Sequence, residues 1–361
     1  MTTMNSDQPA MEPRHMALWL DSPSGSLRVR PAATPSPGPG EVTVRARAVA
    51  MNPIDNLPGI GRRIVLPWLT YPAVLGSDVA GDIIAIGPSV TGLRIGDRIV
   101  GYAAGVEKSR NHPAQSAFQT HVVLKERMCS PLPDTVAFQE AAVLPMAITT
   151  AAAGLFQTDQ LALLPPTAAP TEPHQSVLIF GGATSVGMNA IQLARNAGYD
   201  VIATSSPRNA ALLQRLGARA VVDYHDPDIT DQIIQHLNGR LLAGTLAIVR
   251  GTLRHAITVN ASKKLQGTKR VASAQPTPAT KIQGALARRR GIRVSTIWGG
   301  SPNDNEVGPA IWNTFLPAAL ADGRYQTAPP PRVTGRGLDA IPDALAQLRK
   351  GVNAEKIVVT L

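Results

Sequence analysis

The fold of this 361-residue chain is decided by the stretch Val177-Leu178-Ile179-Phe180-Gly181-Gly182-Ala183-Thr184-Ser185-Val186-Gly187. Its first four residues are apolar throughout, as in a strand buried on both faces of a parallel sheet. The glycines allow a tight turn, and they let backbone N–H groups approach an anion at the start of the helix predicted over Gly187 to Ala197. A plain glycine turn is the alternative, but the strand–turn–helix order favours a pyrophosphate cradle. The predicted cradle is the loop from Gly181 to Gly187, with Gly181, Gly182 and Gly187 as its glycines.

Strands and helices alternate after this loop. Such alternation predicts a parallel sheet with helices on both faces, and six strands of this kind make a dinucleotide-binding fold. Besides the strand at Val177 to Phe180, the predicted strands are Asp200 to Thr204, Ala220 to Asp223, Gly244 to Val249, Arg270 to Ser273 and Arg293 to Trp298, with a helix at Ala210 to Leu216.

The first half of the chain has a different pattern. Short strands separated by glycine and proline turns predict an irregular β-barrel there, followed by an alanine-rich helical segment from Phe138 to Phe156. Mixed structure returns at the end of the chain, so the overall class is α/β with two domains. The predicted barrel strands are Ala17 to Leu20, Glu41 to Ala50, Val79 to Ile86 and Arg94 to Val100, and the last elements are helices at Ala310 to Ala321 and Ile341 to Lys350 and a strand at Lys356 to Leu361.

Cofactor choice is set at the end of the second strand of the parallel sheet. An acidic residue there would bind the ribose hydroxyls of NAD and repel the extra phosphate of NADP. The segment Thr204 to Asn209 instead carries Ser205, Ser206 and Arg208. Hydroxyls and a guanidinium suit a 2′-phosphate, so we predict NADPH. The alternative is that Arg208 is only a solvated loop charge.

Composition narrows the class of protein. The single cysteine, Cys129, excludes an internal disulfide framework and a zinc site built from several thiolates. No apolar run approaches the ~20 residues that cross a bilayer, and residues 1–14 lack the apolar segment of a secretory signal. We therefore expect a cytoplasmic protein with no membrane span.

The net charge of +10 is concentrated in one stretch. Residues 263–293 carry nine basic side chains and no acidic one. Such a patch could bind RNA, an anionic membrane or an acidic carrier or synthase domain, although a merely solvated face is the simplest interpretation.

Five specific motifs stand in the first 145 residues. They are Ala48-Val49-Ala50-Met51-Asn52-Pro53-Ile54-Asp55, Leu75-Gly76-Ser77-Asp78-Val79-Ala80-Gly81, Gly96-Asp97-Arg98-Ile99-Val100-Gly101, Ala117-Phe118-Gln119-Thr120-His121 and Glu140-Ala141-Ala142-Val143-Leu144-Pro145. Together these motifs resemble the quinone and enoyl reductase branch of the medium-chain dehydrogenases/reductases. Within that branch, the insert at 105–115 and the loop at 165–173 resemble the fungal zinc-binding-type dehydrogenases and the trans-acting enoyl reductases of polyketide pathways.

The resemblance implies the division of the chain. It implies a disordered tail at 1–15, a GroES-like substrate domain at 16–145 and 304–361, and a Rossmann NADP-binding domain at 146–303. It also implies a monomer or homodimer. The resemblance further implies a zinc-free site, because Asn52 stands where metal-dependent relatives carry a cysteine and Ser77-Asp78 where they carry a His–Glu pair.

Particular residues acquire roles from the same resemblance. Thr184, Ser185 and Val186 are implied along the pyrophosphate. Ser205, Arg208 and Tyr224 are implied around the 2′-phosphate, although Tyr224 could simply pack at a strand end. Trp298 and Gly299 are implied at the nicotinamide amide, and Thr149 and Asn52 near the nicotinamide or substrate. The side chains that could polarise or protonate a substrate are Asn52, Tyr102 and His121, and each could equally be structural.

The expected activity is therefore hydride transfer from NADPH to an activated carbon–carbon double bond of an enone, enoyl or quinone substrate, in secondary metabolism. One departure weakens this expectation. Many relatives carry an aromatic residue and a lysine after the Asn-Pro-Ile-Asp motif, where this chain has Asn56 and Leu57. Two alternatives therefore remain: a redox-inactive relative that uses the NADP-bound pocket for isomerisation, cyclisation or binding, and an RNA-binding protein that uses the basic stretch.

Overall fold

A computed structural model describes residues 15–166 and 175–361. Residues 1–14 of the expected disordered tail and most of the loop at 165–173 lie outside these ranges, whereas His15, the last residue of that tail, is described and buried. Within them, the strands are β1 (Met16–Leu20), β2 (Leu27–Pro31), β3 (Glu41–Ala50), β4 (Ala73–Val74), β5 (Asp78–Ile86), β6 (Arg98–Tyr102), β7 (His121–Lys125), β8 (Cys129–Pro131), β9 (Gln175–Phe180), β10 (Asp200–Ser205), β11 (Ala218–Asp223), β12 (Leu241–Ala247), β13 (Gln266–Gly267), β14 (Arg270–Ser273), β15 (Arg293–Thr296), β16 (Pro331–Arg336) and β17 (Lys356–Thr360).

The helices of the described ranges fall mainly in the second half of the chain. They are α1 (Gly59–Val65), α2 (Phe138–Ala141), α3 (Pro145–Phe156), α4 (Ser185–Asn196), α5 (Ala210–Arg215), α6 (Ile229–His236), α7 (Thr252–Asn260), α8 (Pro278–Arg288), α9 (Val307–Pro309), α10 (Leu316–Ala321) and α11 (Ile341–Arg349). A π-helical segment, Ala310–Phe315, joins α9 to α10.

The nucleotide-type sheet has the strand order β11-β10-β9-β12-β14-β15, and all of these pairings are parallel. This is the order 3-2-1-4-5-6 of a doubly wound fold. Ligands of such folds bind outside the carboxyl ends of the strands, where the order reverses. In this chain the reversal falls between β9 and β12, so the glycine loop after β9 stands at that point. The predicted doubly wound sheet is confirmed.

The barrel sheet has the order β16-β17-β3-β5-β6-β8, with β7 also paired to β3. Its register brings distant parts of the chain to one end. Ala50 of β3 pairs with Asp78 of β5 and with Val358 of β17, and Asp78 pairs with Tyr102 of β6. The end of β3, the start of β5, the end of β6 and the start of β17 therefore meet.

An apolar core extends across the boundary between the two sheets. It includes Ala50 and Val100 of the barrel and Ile179 and Ile191 of the nucleotide-type domain, each 0% exposed. Helix α3 contacts both parts. The barrel end described above is thus packed directly against the nucleotide-type domain.

Some predicted elements differ in detail. Two helices replace the single predicted segment at 138–156, and the second begins at Pro145, since proline suits the first turn of a helix. The strand predicted from Arg94 begins only at Arg98, because Gly96 takes a positive φ of 93° in a turn. Patterning did not predict β2, β7, α1, α6, α7 or α8.

Candidate active site

The glycine loop between β9 and α4 is the predicted anion cradle. Gly181 has φ +92°, which a side chain would disfavour. The Thr184 hydroxyl accepts the Gly187 N–H at 3.0 Å and donates to the Gly181 carbonyl at 2.8 Å, so it caps the helix. The first N–H groups of a helix lack intrahelical acceptors, which leaves those of Ser185 and Val186 for a phosphate. Thr184 therefore shapes the cradle from within.

Two glycines of this loop have different constraints. A Cβ on Gly187 would lie against the Gly181 carbonyl oxygen and 2.7 Å from that of Gly182. A Cβ on Gly182 would lie 2.9 Å from Ala203 Cβ and from Leu213 Cδ1, which are parts of the packed core. Gly182 therefore permits close packing of the loop against β10 and α5.

The end of β10 carries an unsatisfied hydroxyl. Within the described residues, Ser205 Oγ is buried and has no hydrogen-bond partner. A buried polar atom without a partner costs free energy unless a ligand satisfies it. Ser206 follows at a half-buried position, and Arg208 is exposed on the next turn. These groups fit a ribose phosphate.

Tyr224 stands on the neighbouring strand end. It follows Asp223, which pairs with Ser205 across β10 and β11, and its ring lies 4.1 Å from that of His225. Tyr224 is 52% exposed, so it is not packed in the core. The Asp223 carboxylate accepts from the His225 backbone N–H at 3.0 Å. The structure thus brings Tyr224 to the same edge of the sheet as Ser205.

The converging barrel strands hold a buried polar cluster. Lys356 Nζ lies 2.6 Å from Asp78 Oδ2 and donates to Asn52 Oδ1 at 2.9 Å. Asn52 Nδ2 donates to Asp78 Oδ2 at 2.9 Å, and the Met146 N–H donates to Asp78 Oδ1 at 2.6 Å. Asn52, Asp78 and Lys356 are each at most 4% exposed. The amide of Asn52 is therefore held in one orientation, with one of its two N–H donors used by Asp78.

Asp55 supports this cluster from one side. Its carboxylate accepts the Asn52 backbone N–H at 2.9 Å. Burial raises the pKa of Asp55 to about 7, and the nearby Asp78 charge adds to that shift. The carboxyl group thus caps the turn that presents Asn52.

Tyr102 and Trp298 meet through a residue that the sequence did not single out. The Tyr102 hydroxyl donates to Glu107 Oε1 at 2.5 Å, and Trp298 Nε1 donates to Glu107 Oε2 at 2.6 Å. Burial raises the pKa of Glu107. Burial also raises the pKa of Tyr102 well above its ordinary value. The Tyr102 hydroxyl thus already donates its proton to Glu107.

The turn after β15 lies against α3. A Cβ on Gly299 would collide with Thr150 Oγ1 and lie 3.3 Å from Met146 Sδ. Thr149 is instead 0% exposed, and its hydroxyl accepts from Trp312 Nε1 at 3.3 Å. Thr150 is therefore the threonine of α3 that faces Gly299, whereas Thr149 faces Trp312.

His121 is not brought to the other candidates. His121 is the first residue of β7 and pairs with Arg45 of β3. Arg45 lies seven residues before Asn52 along extended chain, so this pair is roughly 20 Å from Asn52 at the rise per residue of a β-strand. The His121 ring stacks on His15 at 5.2 Å. The structure thus joins Asn52, Tyr102, Trp298 and Gly299 into one site and leaves His121 outside it.

Sequence reasoning missed Lys356 and Glu107. Each is buried although it carries a charged group, and lysine and glutamate are rarely buried without a partner. Only the pairing of strands from opposite ends of the chain places Lys356 beside Asn52. Between residues 15 and 166 and from 175 onward, no group of three or more His, Cys, Asp or Glu side chains is placed to hold a metal ion.

The basic stretch lies away from this site. Lys269, Arg270 and Arg293 precede or begin β14 and β15, so they stand at the amino ends of the parallel strands, opposite the glycine loop. All of the nine basic side chains except Arg270 are exposed. No helix in the described ranges is long and apolar enough to cross a membrane.

Known proteins show the same architecture. The family model of the alcohol dehydrogenase GroES-like domain matches residues 38–134. The chain is 42% identical over 354 residues to the dehydrogenase azaJ of Aspergillus niger, covering 97% of this chain and 99% of that protein. It is 33% identical to the trans-enoyl reductase himH of Aspergillus japonicus, covering 93% and 94%.

A solved structure gives the fold of the whole chain. The crystal structure of an alcohol dehydrogenase superfamily protein from Novosphingobium aromaticivorans matches with a TM-score of 0.77 at 24% identity, covering 96% of this chain and 99% of that one. A GroES-like barrel beside a doubly wound sheet defines an oxidoreductase that uses a nicotinamide dinucleotide. The chain belongs to the medium-chain dehydrogenase/reductase family, as the motifs indicated.

Proposed function

We propose that this protein is an NADPH-dependent, zinc-free reductase of an activated carbon–carbon double bond in an enone, enoyl or quinone substrate. The observation that carries the proposal is the Asn52–Asp78–Lys356 cluster. Metal-dependent relatives bring a thiolate and an imidazole together at this place. This chain instead brings together the Asn52 amide and the buried ammonium of Lys356, and that ammonium is already paired with the Asp78 carboxylate. Neither an amide nitrogen nor an ammonium is a zinc ligand.

NADPH rather than NADH fits the end of β10. The segment Thr204 to Asn209 holds no acidic residue, and Ser205 Oγ is a buried hydroxyl without a partner in the described structure. A 2′-phosphate would accept from Ser205 and pair with the Arg208 guanidinium. The N–H groups of Ser185 and Val186 would hold the pyrophosphate.

The chain's own groups then set up the reaction. NADPH, when bound, supplies the hydride that reaches the β-carbon of the substrate. Asn52 donates its second amide N–H to the substrate carbonyl oxygen and so stabilises the enolate until a proton from solvent reaches the α-carbon and completes the reduction. Lys356 and Asp78 keep that amide from rotating, since each engages one end of it. The positive charge of Lys356 favours a developing negative charge nearby.

The substrate class is supported by the name of the relative himH, a trans-enoyl reductase. The test is to follow NADPH absorbance with a panel of enones, enoyl thioesters and quinones. Oxidation that requires the substrate supports the proposal, and Asn52→Ala should lower kcat more than it raises KM. If NADPH binds but no substrate of the panel oxidises it, the proposal is wrong.

NADPH binding without oxidation would favour the alternative of a redox-inactive relative, and one observation supports that alternative. Asn56 stands where many relatives place the aromatic residue that precedes the lysine, and it anchors α11. Its Nδ2 donates to the Leu345 carbonyl at 2.8 Å, and its Oδ1 accepts from Arg349 at 3.0 Å. The turn at Asn56 therefore has a structural role, which is to hold α11 in place.

A further inference from the structure

We propose that Glu107 is a positioning residue of the reduction site, which holds Trp298 across the boundary between the two domains. The inference rests on the proposed function, because the family resemblance implies that Trp298 lies at the nicotinamide amide of the NADPH proposed above. It concerns a residue in the insert at 105–115 that none of the motifs above includes.

The first support is the chemistry of the donors. An indole N–H can only donate, so Trp298 requires an acceptor, whereas the Tyr102 hydroxyl can donate or accept. Glu107 Oε2 meets the indole at 2.6 Å, and Oε1 meets the phenol at 2.5 Å. One carboxylate thus fixes one side chain from each domain, and Trp298 depends on it more strictly.

The second support is the tightness of the surrounding turn. A Cβ on Gly300 would collide with the Glu107 carboxylate, so the backbone two residues after Trp298 lies directly on this group. Glu107 is 5% exposed. The carboxylate is therefore enclosed between the insert and the Trp298 turn.

The third support is that the insert holds a second indole in the same way. Trp68 Nε1 donates to the Val106 carbonyl at 3.0 Å, and the rings of Trp68 and Trp298 meet edge to face at 5.6 Å. Adjacent residues of one insert thus accept from two tryptophans that contact each other. Loss of the Glu107 acceptor would release Trp298 and loosen this pair.

The positioning role does not require ionised Glu107. Burial raises the pKa of Glu107, but a protonated carboxyl group keeps a carbonyl oxygen that accepts from Trp298, while its O–H donates to the Tyr102 oxygen. Glutamine offers the same pair of one acceptor and one donor. The conservative variant should consequently rescue the role.

The experiment compares Glu107→Leu with Glu107→Gln in the full chain. Glu107→Leu should raise the Kd for NADPH and lower kcat/KM by about tenfold or more, since a buried donor loses its acceptor. Glu107→Gln should stay within about threefold of the unmodified protein, because the acceptor for Trp298 remains. Trp298→Phe should add little to Glu107→Leu if the two residues act as one unit.

Ser109→Ala is the matched control. Ser109 belongs to the same insert and donates to Asp304 beyond the Trp298 turn at 2.7 Å, so this variant removes another link at the same boundary. It should leave the Kd for NADPH unchanged. If Glu107→Leu lowers thermal stability but leaves Kd and kcat unchanged, Glu107 is only structural and the inference fails.

The inference and the proposed function fail separately. Equal losses in Glu107→Gln and Glu107→Leu would overturn positioning in favour of a role for the charge. The Kd for NADPH, measured by quenching of tryptophan fluorescence, needs no turnover, so it tests Glu107 even if no enone is reduced. If the unmodified protein binds neither NADPH nor NADH, both proposals are wrong.

Discussion

Lys356→Met tests whether the buried ammonium is an integral part of the site. In the folded protein the side chain of Lys356 is 2% exposed and that of Asp78 is 0% exposed. Methionine has a similar length and no charge, so the variant keeps the packing and removes the cation. Asp78 would retain its hydrogen bonds from Asn52 Nδ2 and from the Met146 N–H, but no positive group would face it.

Removing one partner of a buried ion pair typically costs about 3–5 kcal/mol, because the remaining charge stays buried without compensation. For a domain of this size, each kcal/mol lowers Tm by about 2–4 °C, so a fall of roughly 6–20 °C is expected. The assay is thermal and denaturant unfolding followed by far-UV circular dichroism, with a check that unfolding is reversible.

The double variant Lys356→Met with Asp78→Asn sharpens the test. An amide at position 78 carries no charge and can still accept from the Met146 N–H. Without Lys356, the Asn52 amide is free to flip, so that its Oδ1 accepts from the new N–H donor at position 78. At least half of the lost stability should return. Glu355→Gln is the control, since its partner Arg332 lies 4.0 Å away and both side chains are about half exposed, so it should cost less than about 1 kcal/mol. A loss below about 1 kcal/mol in Lys356→Met, or a double variant as unstable as the single one, would refute the reasoning.

Four further outcomes are expected. Arg208→Ala should weaken NADPH binding by about 1–3 kcal/mol and leave NADH binding unchanged, as measured by fluorescence titration, and equal losses for the two cofactors would contradict the 2′-phosphate assignment. Gly187→Ala should lower both Tm and NADPH affinity, because the added Cβ would lie against two backbone carbonyls. Gly92→Ala is the control and should change neither quantity, since its Cβ would meet only the Glu126 side chain at 3.3 Å. Burial raises the pKa of Asp55 from 3.8 to about 7 in the folded state, so between these pH values the folded protein retains a proton that the unfolded chain releases. The free energy of unfolding should therefore fall as pH rises through this range, by up to about 4 kcal/mol. Asp55→Asn should flatten that fall in denaturant unfolding at a series of pH values, since asparagine can still accept the Asn52 N–H, and a parallel pH curve would show that Asp55 is not its source. Elemental analysis of the purified protein should find no stoichiometric zinc, and one tightly held zinc per chain would overturn the zinc-free assignment.

The sequence by itself was sufficient for the parallel sheet and the glycine loop of the nucleotide-type domain, although not for its helices α6, α7 and α8. There the signals are local, since a buried strand, a glycine turn and a capped helix follow one another within residues 177–187, and parallel order follows from the alternation of elements. The Ser205, Ser206 and Arg208 segment is equally local. Its position at the carboxyl end of β10 followed from that strand alone.

The sequence around a residue did not determine the direction in which its side chain points. Gly182 and Thr184 were correctly placed in the glycine loop, yet the structure turns the Cβ position of Gly182 into the core and uses the Thr184 hydroxyl as a helix cap. Likewise, neighbouring Thr149 and Thr150 are indistinguishable in sequence. The helical rotation between them decides that Thr150 faces Gly299.

Only the tertiary structure decided how the barrel end of the site is built. Lys356 lies 304 positions from Asn52, and Trp298 lies 191 positions from Glu107, so no pattern along the chain connects them. The pairing of β17 with β3 brings the lysine to the asparagine, and the packing of the β15 turn against the insert brings the indole to the glutamate. A buried charge is tolerated only where a partner meets it, and that partner is chosen by strand order and domain packing rather than by sequence neighbours.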